Sequence, residues 1–180
     1  MKKKTTVYQL TTCALMAALM CILGPMAIPI GPVPISLATF GVMMAGLLLG
    51  WKYGAVSVLV YILLGAVGVP VFAGFKGGVS ALVGATGGYI VGYLPYAIIS
   101  GLPLPTLQKD AVGRFLLMEI GTVACYVLGT LWFMHVTGRT WYDSLGICVT
   151  PFLPGDAAKM VLATLLAPRL RKALSASLHQ

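Results

Sequence analysis

Apolar runs long enough to cross a membrane recur from residue 8 to residue 172 of this chain. Only 9% of its 180 residues are charged, whereas soluble domains contain about 25%. An apolar helix of about 20 residues spans the hydrocarbon core of a bilayer. The pattern therefore predicts an all-α membrane protein, and the length predicts a single domain over residues 1–180.

The apolar pattern predicts six transmembrane helices, at 8–28, 36–51, 53–71, 81–100, 113–135 and 151–172. We expect a tight turn around Lys52 between the second and third, and Pro- and Gly-rich segments between the others. The N-terminus resembles a signal peptide, but no small-x-small cleavage motif follows it, and Pro25 and Pro29 interrupt that region. We therefore interpret it as the first span.

The net charge of +8 indicates membrane topology, because the sequence contains no nucleic-acid-binding motif. Basic residues accumulate on the cytoplasmic side of membrane spans. With both termini cytoplasmic, two basic residues lie outside, Lys76 and Arg139, and Lys159 lies within a span. The nine inside are Lys2, Lys3, Lys4, Lys52, Lys109, Arg114, Arg169, Arg171 and Lys172. The predicted location is the cell membrane.

The segment PFLPGDAAKM (151–160) places an acid and a base in apolar surroundings. Asp156 and Lys159 are three residues apart, so they share one helix face. We expect Asp156 to be the N-cap of the last helix and both charges to lie in the outer half of the membrane. A helix cap with a stapling ion pair explains them structurally. The functional interpretation is a polar anchor for a small ligand, since intramembrane charges usually face a cavity.

The Gly-rich segment GVPVFAGFKGGVSALVGATGGYIVGY (68–93) is predicted to close over such a pocket. Phe72 and Tyr89 would supply aromatic walls, and Lys76 could reach a carboxylate. An interfacial aromatic belt and a solvated loop charge are the structural alternatives. The segment contains no phosphate-binding loop, because GxxxxGK[ST] is absent.

The sequence shows no metal-ligand spacing, no ATP-binding motif and no series of intramembrane carboxylates for ion coupling. We therefore predict no cofactor, and any transport would need an external source of energy. Ala14 and Ala18 form a small-xxx-small pair that permits close helix contact. That contact could be intramolecular or could involve a membrane partner.

Three segments in order, GPVPISLATFGVMMAGLLLG (31–50), GVPVFAGFKGG…GATGGYIVGY (68–93) and PFLPGDAAKM (151–160), resemble the BioY family. Members are the biotin-binding S components of energy-coupling factor (ECF) transporters. The resemblance implies a six-helix S-component fold that captures biotin from outside. It implies three partner subunits, a transmembrane coupling protein and two ATPases. It also implies biotin contacts at Asp156 and Lys159, and docking of the coupling protein on Ala14 and Ala18.

Three alternatives remain open from the residues. One is an S component for another small vitamin. Another is an intramembrane enzyme that uses Asp156 and Lys159 as acid and base, for which no third polar group is evident in the sequence. The last is a structural subunit without a ligand. We predict a vitamin-uptake protein and not an enzyme, with Asp156, Lys159, Phe72, Lys76 and Tyr89 as the substrate-binding residues.

Overall fold

A computed structural model describes the backbone of residues 2–176 and the side chains of residues 7–105, 107–108 and 110–172. The side chains of Lys2, Lys3, Lys4 and Lys109, which entered the charge count, lie outside the described residues. The elements are α1 (Lys2–Leu23), β1 (Ala27–Ile28), β2 (Ile35–Ser36), α2 (Ala38–Ala66), α3 (Val79–Val83), α4 (Gly87–Ser100), α5 (Pro105–Lys109), α6 (Ala111–Thr137), α7 (Trp141–Cys148) and α8 (Leu153–Ala176).

Helix α2 is broken at Gly50, where φ is 76° and ψ is 176°. A Cβ atom built on Gly54 would lie 2.9 Å from the carbonyl oxygen of Ala45. Residues nine apart in a straight helix are separated by roughly 13 Å, so the chain must reverse here. The two arms, 38–49 and 51–66, therefore run antiparallel. The predicted tight turn is confirmed, but it lies at Gly50, where glycine tolerates the positive φ, and not at Lys52.

Other helix boundaries differ from the predicted spans. Helix α1 ends at Leu23, before the Gly24–Pro25 pair, and not at residue 28. The predicted span 81–100 is divided into α3 and α4 by residues 84–86. The short helices α5 and α7 were not predicted, because each is hidden in a segment that reads as a loop. Helix α6 agrees well with the predicted span 113–135.

Within the described residues, α6 is a continuous apolar helix long enough to cross a membrane, and α2 reaches that length only if its two arms are counted together. Helices α7 and α8, which meet at a bend of 48°, would count as a third span if taken together. Because α2 reverses at Gly50, its arms measure about 18 and 24 Å, less than a hydrocarbon core of about 30 Å. The six-span count and the orientation of the termini stay predictions.

Helix α4 packs between α2 and α6, and α8 packs against the same two helices. Glycines in α6 admit the tyrosine rings of α4: Tyr96 covers Gly121, and Tyr89 covers Gly129. A glycine of α4 likewise admits a side chain of α6, because Gly88 lies directly against Trp132. These contacts fix the α4 tyrosines on the inner side of the bundle.

Candidate ligand-binding site

A cavity that is partly open to solvent lies near the end of the bundle that carries the β1–β2 ribbon and residues 71–76. Its walls come from α2, α4, α6 and α8 and from both loop segments. Five tyrosines line it: Tyr61, Tyr89, Tyr93, Tyr96 and Tyr126. Aromatic walls with a few polar groups are typical of a site for a small organic ligand.

The structure brings all five sequence-predicted substrate residues to this one cavity. Asp156 and Lys159 line it from α8, Tyr89 lines it from α4, and Phe72 and Lys76 line it from the 71–76 segment. Their position in the wall is observed, while their contact with a ligand stays a prediction. Phe75, between the two loop residues, does not line the cavity and is 72% exposed.

Asp156 and Lys159 form a buried ion pair, with 2.8 Å between Lys159 Nζ and Asp156 Oδ1. Asp156 is only 3% exposed and Lys159 only 9%. The pair is therefore shielded from lipid and borders a cavity at the same time. A purely structural staple would not need the adjoining space, so this geometry favours the functional interpretation.

The predicted N-cap role of Asp156 is wrong. Helix α8 begins at Leu153, and the backbone N–H of Asp156 already donates to the carbonyl oxygen of Phe152 at 2.8 Å. Pro154 and Gly155 fit into the first turn, where a missing N–H costs nothing because no carbonyl precedes it in the helix. The carboxylate is consequently available for side chains of other helices.

The three ammonium hydrogens of Lys159 have three acceptors. Besides Asp156 Oδ1, Lys159 Nζ donates to the carbonyl oxygen of Ser36 at 2.7 Å and to Thr39 Oγ1 at 3.0 Å. A lysine ammonium has three N–H groups, so all of them are engaged. Lys159 therefore connects α8 to strand β2 and to the start of α2.

Ser36 joins this network to α1. Its hydroxyl donates to the carbonyl oxygen of Gly24 at 2.7 Å and accepts from the backbone N–H of Ala38 at 3.0 Å. The hydroxyl thereby satisfies one of the free N–H groups at the start of α2. The ribbon that borders the cavity is thus held at its Ser36 end, by Gly24 after α1 and by Lys159 of α8.

Sequence reasoning missed Tyr126, which contacts the pair directly. Its hydroxyl donates to Asp156 Oδ2 at 2.6 Å from helix α6. Thr39, also missed, lies 3.4 Å from Asp156 Oδ1. A tyrosine within an apolar run reads as an ordinary core residue, and nothing local marks its partner thirty positions away. The α4 tyrosines do carry a signal, since Tyr89, Tyr93 and Tyr96 follow the i, i+4, i+7 spacing of one helix face.

Phe72 closes the cavity wall by packing on the second arm of α2. Its ring makes an edge-to-face contact with Tyr61, with 5.6 Å between ring centroids. It also covers Gly65 so closely that a Cβ atom there would lie 2.1 Å from the ring. The hydroxyl of Tyr61 donates to the carbonyl oxygen of Val71 at 2.9 Å, which fixes the loop beside the ring. Lys76 is exposed at the rim.

The predicted docking residues Ala14 and Ala18 are both exposed on α1 and lie away from the cavity. They share a face with the exposed side chains of Leu10 and Ile22. These two alanines are therefore not packed against another helix of the described chain. Among the described residues no group of His, Cys, Asp or Glu could hold a metal ion.

The known proteins that this chain resembles belong to one family. A profile of the BioY family matches residues 1–176. The biotin transporter BioY2 of Lactococcus lactis subsp. cremoris is 34% identical over 173 residues, which cover 96% of this chain and 95% of the relative. The probable biotin transporter BioY of Pyrococcus horikoshii is 39% identical, with 88% and 93% covered.

The fold is similar to that of a solved protein, the S component for biotin from an ECF-type ABC transporter. The two structures superpose with a TM-score of 0.88 at 34% identity, and the match covers 96% of this chain and 95% of the other. The S-component fold predicted from the sequence is confirmed. The apolar helices and the transporter relatives together identify a membrane protein.

Proposed function

The chain belongs to the BioY family, and on that basis we propose that it is a substrate-binding S component that captures biotin. The observation that carries the proposal is the buried Asp156–Lys159 pair in the wall of a tyrosine-lined cavity. Biotin offers two ureido N–H groups, a ureido carbonyl oxygen, an apolar bicycle with a hydrocarbon chain, and a terminal carboxylate. The cavity has a complement for each of these parts.

Asp156 is the acceptor for the ureido N–H groups. A carboxylate has about four lone-pair directions, and Asp156 uses three of them for Tyr126, Lys159 and Thr39. At 3.4 Å the Thr39 contact is the longest of the three, so a ligand N–H can replace it. A hydrogen bond to a charged group contributes about 1.5–3 kcal/mol, which makes Asp156 the strongest single anchor.

Lys159 acts mainly by pairing with Asp156 and holding its carboxylate in position. Because all three of its N–H groups are engaged, a ligand oxygen can bind Lys159 only by displacing an acceptor, and Thr39 at 3.0 Å is the most distant. Lys76 is placed differently, at the exposed rim of the cavity. We assign the biotin carboxylate to the rim and to Lys76, with the ureido ring near Asp156.

The partners in this proposal are a transmembrane coupling protein and two ATPase subunits, which supply the energy that the chain cannot. The exposed Ala14 and Ala18 support docking on α1, because small residues let a second helix approach closely. We place the protein in the cell membrane with both termini cytoplasmic, so that the cavity opens outward. The charge distribution along the sequence supports this orientation.

The function is binding and transport rather than catalysis. The sequence showed no third polar group beside the pair, which spoke against an enzyme. The structure corrects this, because Tyr126 and Thr39 both contact the pair. The similar proteins are biotin transporters, which supports transport rather than catalysis. The pair itself connects α8 to α2 and α6 through its hydrogen bonds.

The test is calorimetric titration of detergent-purified protein with biotin and with a panel of other small vitamins. We expect saturable binding of biotin at one site per chain and no comparable binding of the others. Tighter binding of a different vitamin would assign the protein to another substrate. Absence of binding to every compound, in a folded preparation, would contradict the proposal.

A further inference from the structure

The hydroxyl of Tyr93 differs from those of the four other tyrosines that line the cavity. Those four hydroxyls have partners within the protein: Val71 O for Tyr61, Cys148 O for Tyr89, Thr122 for Tyr96 and Asp156 for Tyr126. Tyr93 is 8% exposed, and its hydroxyl has no hydrogen bond to any described residue. Because Tyr93 lines the cavity, its hydroxyl is free to bond a group that enters it.

The packing of Tyr93 does not require a hydroxyl. Its ring lies beside Tyr61, with 6.5 Å between centroids at a tilt of 35°, and both rings line the cavity. A phenylalanine could make the same ring contacts. The hydroxyl is useful only if a polar group in the cavity completes its hydrogen bonding.

Asp156 and Lys159 leave one function unfilled. Asp156 only accepts, and the three N–H groups of Lys159 are engaged with protein acceptors. A cyclic urea also presents a carbonyl oxygen, which needs a donor. The Tyr93 hydroxyl is the cavity tyrosine hydroxyl that has no acceptor among the described residues.

We propose that Tyr93 is a specificity-determining residue whose hydroxyl donates to the ureido carbonyl oxygen of the bound ligand. This inference rests on the proposed function. Asp156, from α8, would then accept from the N–H groups of the urea, and Tyr93, from α4, would donate to its carbonyl oxygen. The site would then discriminate against analogues that keep both N–H groups but lack a strong carbonyl acceptor.

The experiment compares biotin with 2-thiobiotin, whose C=S group is a weak acceptor, on wild-type protein and on Tyr93→Phe. We expect the wild type to prefer biotin. Tyr93→Phe should weaken biotin binding about 5- to 30-fold and remove most of the preference, with little effect on thiobiotin. Its melting temperature should be unchanged or higher, because the substitution leaves no partner unpaired.

Tyr61→Phe is the matched control, since it removes a hydroxyl in the same wall that donates to Val71 O. It should lower the melting temperature and keep the ratio of the two affinities. If Tyr93→Phe keeps the wild-type ratio, or fails to fold, the inference is overturned while the proposed function stands. If wild-type protein binds neither compound, the proposed function itself fails, and the inference fails with it.

Discussion

Replacing Asp156 and Lys159 singly and together separates their contribution to binding from their contribution to folding. The variants are Asp156→Asn, Lys159→Met and the double substitution. Asn is close in shape to Asp, and Met keeps the length of the lysine chain without its charge. Both residues are almost fully buried, so each single variant leaves one charge without its counter-ion.

The expected cost follows from that burial. Breaking a buried pair by removing one partner costs about 3–5 kcal/mol. We expect about 3 kcal/mol for Asp156→Asn, because the ammonium keeps Ser36 O at 2.7 Å and Thr39 at 3.0 Å. The double variant buries no charge, so it should regain most of that stability. Its biotin affinity should stay at least 10-fold below wild type, since the charged acceptor is worth about 1.5–3 kcal/mol.

The assay pairs thermal unfolding in detergent with biotin calorimetry on the same preparations. We expect stability in the order wild type, double variant, single variants, and a large loss of affinity in every variant that lacks Asp156. A stable double variant with near-wild-type affinity would show that the pair only staples helices together. The reasoning on burial would be refuted if the single variants unfolded at the wild-type temperature.

Tyr126→Phe removes the 2.6 Å hydrogen bond to the Asp156 carboxylate. We expect biotin affinity, measured by calorimetry, to fall about 5- to 30-fold. Unchanged affinity would contradict a role for this hydrogen bond in binding. Ala14→Leu with Ala18→Leu should abolish co-purification with the coupling protein and leave biotin binding intact, because both side chains are exposed away from the cavity; a normal yield of complex would exclude this docking face. Gly65→Ala should lower the melting temperature, because the added methyl group overpacks the aromatic ring that covers Gly65 and costs about 1–3 kcal/mol of stability. Gly31→Ala is the control and should leave the melting temperature unchanged, because a Cβ atom at Gly31 would have no atom within 4 Å. Equal effects of the two glycine substitutions would contradict the close ring contact.

The sequence was most informative where a residue conflicts with its surroundings. Asp156 and Lys159 are conspicuous because charges are rare in apolar helices, and their spacing alone placed them on one face. The aromatic and basic residues of 68–93 were found in the same way, as unusual side chains in a Gly-rich segment. All five now line one cavity.

The remaining features depend on packing that no local pattern records. The reversal at Gly50 follows from one positive φ value, and many glycines in this chain could have supplied it. Tyr126 and Thr39 meet Asp156 only because α6 and α2 pack against α8. The N-cap prediction was wrong for a related reason. Pro154 and Gly155 read as a break, but the first turn of a helix tolerates both, so α8 starts earlier.

The most direct test is an experimental structure of the purified protein with biotin bound. We predict the ureido ring in the cavity with at least one N–H within about 3 Å of an Asp156 carboxylate oxygen, and the biotin carboxylate toward Lys76. Density for biotin elsewhere on the protein, or in the cavity with the ureido ring turned away from Asp156, would contradict the account.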